Sequence, residues 1–207
     1  GEAEKVIEAE DVVDHYEDAL GTYLIKVTGS TLNHAQTLEV SLYLHTVSDF
    51  ERVSDHSVNI QQAAKEIYDK KVKFSAAADE ELKVLEAALR RIVTMTFDAF
   101  EHGDLETACR VEPLEEWIDS LCQTAKLNHV ARLQTGLCTL KQGFVFNDVI
   151  SNFERVADHC SNIAVALVEL HADSFDTHEY LSSVKSRQNS DFQRLYEEYQ
   201  AEFAFLS

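Results

Sequence analysis

The chain has 207 residues, 37 acidic against 18 basic side chains, and a net charge of −19. That charge repels nucleic acid phosphates and anionic lipid surfaces, so cations are the natural counterpart and nucleic acid is not an expected partner. A hydrophobic content of 45% suffices for a core, while the lack of any run of about 18 apolar residues argues against a membrane span.

One proline and six glycines leave few breakers, which favours long helices over sheet. In chain order, Val12, Val13, Tyr16, Leu20, Tyr23 and Leu24 recur at spacings of three and four and mark a first helix ending near Gly29. Ser30 and Thr31 are cap candidates for a second helix over 32–70. Ser75 opens a third, which Gly103 closes after His102, and Asp104 opens a fourth. Pro113 falls inside the fourth pattern, so a kink or restart is expected there. Gly136 ends it. A fifth helix covers 139–171 and a sixth covers 178–205. The order is three helices, twice, with no linker between the halves. The expected fold is all-α, two pseudo-symmetric three-helix bundles spanning 1–103 and 104–207.

The halves repeat a polar motif. Phe50-Glu51-Arg52-Val53-Ser54-Asp55-His56-Ser57-Val58-Asn59-Ile60 returns 103 positions later, from Phe153 to Ile163, with eight of eleven residues identical. Residues four apart share one helix face, so Glu51, Asp55 and Asn59 form a polar stripe, as do Glu154, Asp158 and Asn162. Such like-charge pairs repel by about 0.2–0.5 kcal/mol each. Taken alone, either stripe reads as a solvated face, and Arg52 and Arg155 stand close enough to offset it.

The first helix of each half adds a second pair: Glu10 and Asp14 in Glu10-Asp11-Val12-Val13-Asp14, and Glu115 and Asp119 in Glu115-Glu116-Trp117-Ile118-Asp119. If the pairs on neighbouring helices face one another, four carboxylates converge in each half. They then protonate or hold a cation. Oxygen ligands without thiolate suit magnesium, calcium, manganese or iron, with zinc also admissible. His56 and His159 follow the motif aspartates about 100° around the helix. They are placed in packing or in orienting a carboxylate rather than in direct ligation. Asn59 and Asn162 offer a carbonyl oxygen or a hydrogen bond. The four cysteines show no Cys-x-x-Cys spacing, so a reducing cytoplasm is the simpler setting and Cys160 reads as a small buried side chain.

These residues resemble the PhoU family, whose three-helix repeats each carry paired Glu/Asp-x-x-x-Asp motifs. The pattern Glu-Arg-Ile-x-Asp-His-x-x-Asn-Ile stands here at Glu51 to Ile60 and Glu154 to Ile163, with Val53 and Val156 for isoleucine. The likeness is closest to the cytoplasmic PhoU-like tail of bacterial sodium/phosphate cotransporters, through Lys71-Val72-Lys73-Phe74-Ser75 and the stretch from His129 to Thr139. The departures are Pro113, and Phe50 and Phe153 where the family often has leucine. The resemblance implies a metal-binding regulatory domain of phosphate uptake. Iron or zinc clusters would sit on Glu10, Asp14, Glu51 and Asp55, and on Glu115, Asp119, Glu154 and Asp158. It implies a cytoplasmic location at the inner face of the membrane. The expected partners are a phosphate transporter portion in the same or a separate chain, inorganic phosphate and a second copy.

The absence of an initiating methionine is read as a processed or engineered start, compatible with an excised tail or with a free-standing PhoU-like regulator. A carboxylate-bridged di-metal enzyme is the rival from another class. It needs Glu-x-x-His on two helices, and no histidine here has a glutamate three residues before it. The chain is therefore read as no enzyme.

Overall fold

The structure is a computed structural model and describes residues 2–172 and 190–205. Among these, every element is helical: α1 Glu2–Thr28, α2 His34–Asp69, α3 Ala76–His102, the single turn α4 Leu105–Ala108, α5 Val111–Gln134, α6 Leu140–Ala172 and α7 Ser190–Glu202. The all-α expectation holds. None of the helices is long and apolar enough to cross a membrane.

Most boundaries follow from side chains that satisfy the end groups of a helix. Ser75 accepts from the Ala78 N–H, and Asp104 accepts from the Glu106 and Thr107 N–H groups. Gly103 at φ 62° and Gly136 at φ 72° supply the left-handed turns that end α3 and α5. The cap of α2 is Asn33 rather than Ser30 or Thr31. Its side chain accepts from Gln36 N–H while Gln36 answers on Asn33 N–H, a reciprocal pair neither earlier residue makes. Ser30 instead donates back to the Val27 carbonyl and closes α1. The restart expected at Pro113 occurs two residues earlier. Placing proline in the first turn of α5 removes an N–H that has no intrahelical acceptor there. Part of the expected sixth helix, 178–189, lies outside the described residues.

The core is built on α3, α5 and α6. Leu85 and Ile92 of α3, Leu114 and Ile118 of α5, and Phe146 and Ile150 of α6 are fully enclosed. Across this core Arg132 grips Glu81 through two hydrogen bonds of 2.9 and 2.7 Å, and Asn128 adds a third at 2.8 Å. This buried pair ties α5 to α3. α7 packs on α5, where Trp117 Nε1 donates to the Phe203 carbonyl at 2.8 Å. α2 packs along α6, and α1 packs on α2. α3 meets α2 through rings, with Phe50 centred 5.1 Å from Phe97 and 4.8 Å from Phe100.

The α2–α6 seam joins the two copies of the repeated motif. The rings of His56 and His159 stack there at 5.7 Å. His56 Nδ1 pairs with Asn152 Oδ1 at 2.9 Å, and His159 Nδ1 pairs with Asp49 Oδ1 at 2.8 Å. Asp49 and Asn152 each precede the phenylalanine of their own motif, so the two bonds are the same contact made twice about a local two-fold axis.

Two glycines give opposite expectations. Gly21 lies inside α1 with no atom within 4 Å of an added Cβ, so Gly21→Ala raises stability by about 0.5–1 kcal/mol. At Gly143 an added Cβ would stand 2.5 Å from His129 Nε2, on a buried ring already stacked against Phe146. Gly143→Ala lowers stability by about 1–3 kcal/mol. Urea unfolding of the two variants measures both signs.

Candidate metal centre

Helices α5 and α6 run side by side and bring three acids together. Oxygens of Glu115, Asp119 and Asp158 lie within 4.8 Å of one another, the one such trio among the described residues. Glu115 and Asp119 share a face of α5 because they are four apart, and Asp158 meets them from α6. Ile118 and Leu121 are buried on α5, as are Val156 and Ala157 on α6. This packing fixes the distance between the two backbones and holds the acids against one another.

Nearby positive charge only partly offsets theirs: Lys126 acts on Asp119, and His159 and Arg155 act on Asp158. Burial pushes the Glu115 carboxyl up to about 8, helped by Asp119, Glu112 and Asp158. Burial also raises Asp119, with Glu154 and Asp158 adding to the shift. Asp158 is raised by burial and Glu154, against the opposing pull of His159, Arg155 and a hydrogen bond from Glu115. Glu115 thus holds a proton near neutral pH and shares it with Asp158. A hard cation coordinated by the same oxygens would replace that proton.

The fourth expected acid, Glu154, is drawn to Lys126, which donates to its carboxylate. The motifs contain no lysine, and Lys126 escaped the sequence reading because it stands two turns beyond Asp119. The spacing of seven that puts it on the same face was the available signal. Glu112 is a further acid beside the trio and accepts from the Ser161 hydroxyl.

The corresponding acids of the first half, Glu10, Asp14, Glu51 and Asp55, also face one another, but more openly. Burial raises the Glu10 carboxyl, with Asp11, Asp14, Asp55 and Glu51 as further causes. Arg52 approaches both α2 acids, at 3.5 Å from Glu51 and 3.9 Å from Asp55. Aligning Glu10–Asp14 on Glu115–Asp119 places Gly21 where Lys126 stands, so no lysine draws on Glu51 from α1.

Of the second-tier residues, His159 adjoins the second cluster, where its charge lowers the Asp158 carboxyl. His56 and His159 lie in the α2–α6 seam. Asn162 donates to Asp49 Oδ1 at 3.2 Å, on the same seam. Asn59 is half-buried on α2. The histidines therefore pack and hydrogen-bond across the seam. The carboxylate His159 contacts is Asp49, not a motif aspartate. Asp49 and Asn152 were missed; comparing the residue just before each motif would have found them. Burial pushes the thiols of Cys122 and Cys160 up to about 12, and neither faces the acids as a thiolate.

A model of the PhoU domain matches residues 1–64 and 82–167, which hold all eight candidate acids. The chain is 24% identical over 188 residues to the phosphate-specific transport system accessory protein PhoU homolog 1 of Thermotoga maritima. The alignment spans 89% of this chain and 78% of that protein. The fold is similar to that in the crystal structure of PhoU from Pseudomonas aeruginosa, with a TM-score of 0.76 over 83% of this chain and 81% of that one, at 19% identity.

The raised Glu115 carboxyl sets a pH dependence for the metal-free protein. Its ordinary value is 4.5 and its folded value about 8, so between these the folded state keeps a proton the unfolded state releases. Stability therefore falls as pH rises through that window. Glu115→Gln removes the share of this effect that Glu115 carries, and Asp119 and Asp158, also raised, keep the remainder. At pH 8.5, with chelator present, the variant is expected to be more stable than the parent by about 1–2 kcal/mol, after allowing for solvent screening of this partly exposed group. At pH 4.5 the two should unfold alike. Urea titrations at both pH values provide the check.

Proposed function

The chain belongs to the PhoU domain family, and from that premise we propose that it is a regulatory accessory protein of phosphate transport whose state is set by metal on its acidic clusters. The metal reading is carried by one observation: three carboxylates on two packed helices with oxygens within 4.8 Å. The phosphate reading is supported by the Thermotoga relative, described as an accessory protein of phosphate-specific transport. The same alignment favours an accessory protein acting on a separate transporter over the tail of a sodium/phosphate cotransporter. The site of action in this reading is the cytoplasmic face of the membrane.

Glu115, Asp119 and Asp158 are the first ligands, and Glu154 joins them when it leaves Lys126. Glu10, Asp14, Glu51 and Asp55 form the second, more solvated site. Iron or zinc is the expected metal; magnesium, manganese and calcium compete through the same oxygen chemistry. A bound cation would supply positive charge where the surface is otherwise strongly negative. Glu115 would give up its proton, Lys126 would be released from Glu154, and the face would become able to receive an anion such as phosphate or to meet a transporter subunit. No nucleophile or general base is required, and the function is one of binding and not of turnover.

Metal content measured after reconstitution with iron and with zinc, in the parent and in Asp119→Asn/Asp158→Asn, tests the metal reading. The parent is expected to retain metal and the variant to lose affinity at least about tenfold. Calorimetry in buffers of different ionisation enthalpy should show roughly one proton released when the Glu115 site fills at pH 7. No retained metal in the parent would remove the cation from the mechanism and leave the family assignment intact. The regulatory reading has its own test. Deleting the chain from its host should alter phosphate uptake at constant external phosphate; unchanged uptake would overturn it.

A further inference from the structure

The two halves bury their equivalent surfaces unequally. α3 packs on α5 and α6, so the second half is closed by a helix from the first. Among the described residues no helix besides α2 packs extensively on α1, and α3 touches α2 through the rings of Phe97 and Phe100 against Phe50 and Tyr43; α7 packs on α5 instead. Aligning the motifs shows what this leaves open. Tyr16 of α1 corresponds to Leu121 and Leu20 to Ala125; Tyr43 of α2 corresponds to Phe146. The second-half residues are 2%, 0% and 0% exposed, whereas Tyr16, Leu20 and Tyr43 are 61%, 45% and 39% exposed. Val12 and Tyr23, at 53% and 62%, extend the strip along α1. Residues 12, 16, 20 and 23 fall on one helix face, on a different side from Glu10 and Asp14. Apolar side chains aligned on one exposed helix face form a strip of the kind that marks interaction surfaces.

Charge selects the occupant. α1 carries eight acidic residues and two lysines, and Glu8, Asp11 and Asp18 border the strip in sequence. A second copy would bring another net charge of −19 to this face, and its like charges would oppose close approach. We propose that the Val12–Tyr23 face of α1 docks a basic amphipathic helix of a partner protein. Its apolar stripe would take the place that α3 takes on α5 and α6. Lysines or arginines flanking the stripe would meet the α1 acids.

The test uses the whole chain, with chelator present so that metal does not enter. The probe is a fluorescein-labelled peptide of about six helical turns with leucines at i, i+3, i+4 and i+7 and lysines beside them. A peptide of the same composition, scrambled to break the stripe, is the control. The stripe peptide is expected to bind at least about tenfold more tightly than the scrambled one, a gap of about 1.4 kcal/mol. Tyr16→Ser/Leu20→Ser should abolish that preference without lowering the melting temperature. Equal binding of both peptides, or an unchanged preference in the variant, would reduce the effect to bulk charge and overturn the proposal. A lowered melting temperature would mean that the chain covers this face itself. A dimer in light scattering that the variant converts to monomer would assign the face to a second copy. Either result rejects a basic partner helix.

Discussion

The seam between α2 and α6 is the contact on which both acidic clusters depend. Each helix carries one copy of the duplicated motif, so the packing that joins them also sets where Asp55 and Asp158 point. Stacked His56 and His159 fill the seam, and each anchors on the residue preceding the other copy's phenylalanine. A buried or half-buried polar group needs a partner, and here each repeat supplies the partner the other requires. The motif is thus conserved between the halves for two reasons at once. Its acids face α1 or α5, and its histidine faces its own counterpart.

The duplication has drifted in ways that give the halves different electrostatics. Asp49 in one half stands opposite Asn152 in the other. Gly21 stands opposite Lys126. The second cluster is enclosed enough to raise a carboxyl to about 8, while its fourth acid has a lysine at hand. The first cluster is more open and leans on Arg52. Two sites with the same four acids therefore need not hold a cation with the same strength, because burial and the nearest base, not the ligand count, decide the cost of leaving the acids bare.

Much of the fold was legible because it rests on local chemistry. Ser75, Gly103, Asp104 and Gly136 mark helix ends by what their own atoms do, and all four do so here. Asn33 was missed because the reciprocal bond with Gln36 is a property of the pair. The convergence of Glu115, Asp119 and Asp158 was legible from spacing plus duplication. The grip of Lys126 on Glu154 was not, since it depends on how α5 lies against α6. The seam role of His56 and His159 was likewise hidden: an angle around one helix says which side a ring takes, not which helix it will find. Nor could any periodicity reveal that α3 would close the half to which it does not belong in sequence.

The two enclosed thiols have a chemical consequence of their own. Cys122 and Cys160 are completely buried, and with their acidity suppressed to about 12 almost none of either exists as thiolate at neutral pH. Peroxide and alkylating reagents attack the thiolate, so these two sulfurs are inert while the core stays closed. Cys109 and Cys138, both half-exposed, stand outside that protection. Thiol oxidation of this protein would therefore begin at its helix junctions and reach the core cysteines only after unfolding, which makes the core thiols a chemical record of whether the chain has opened.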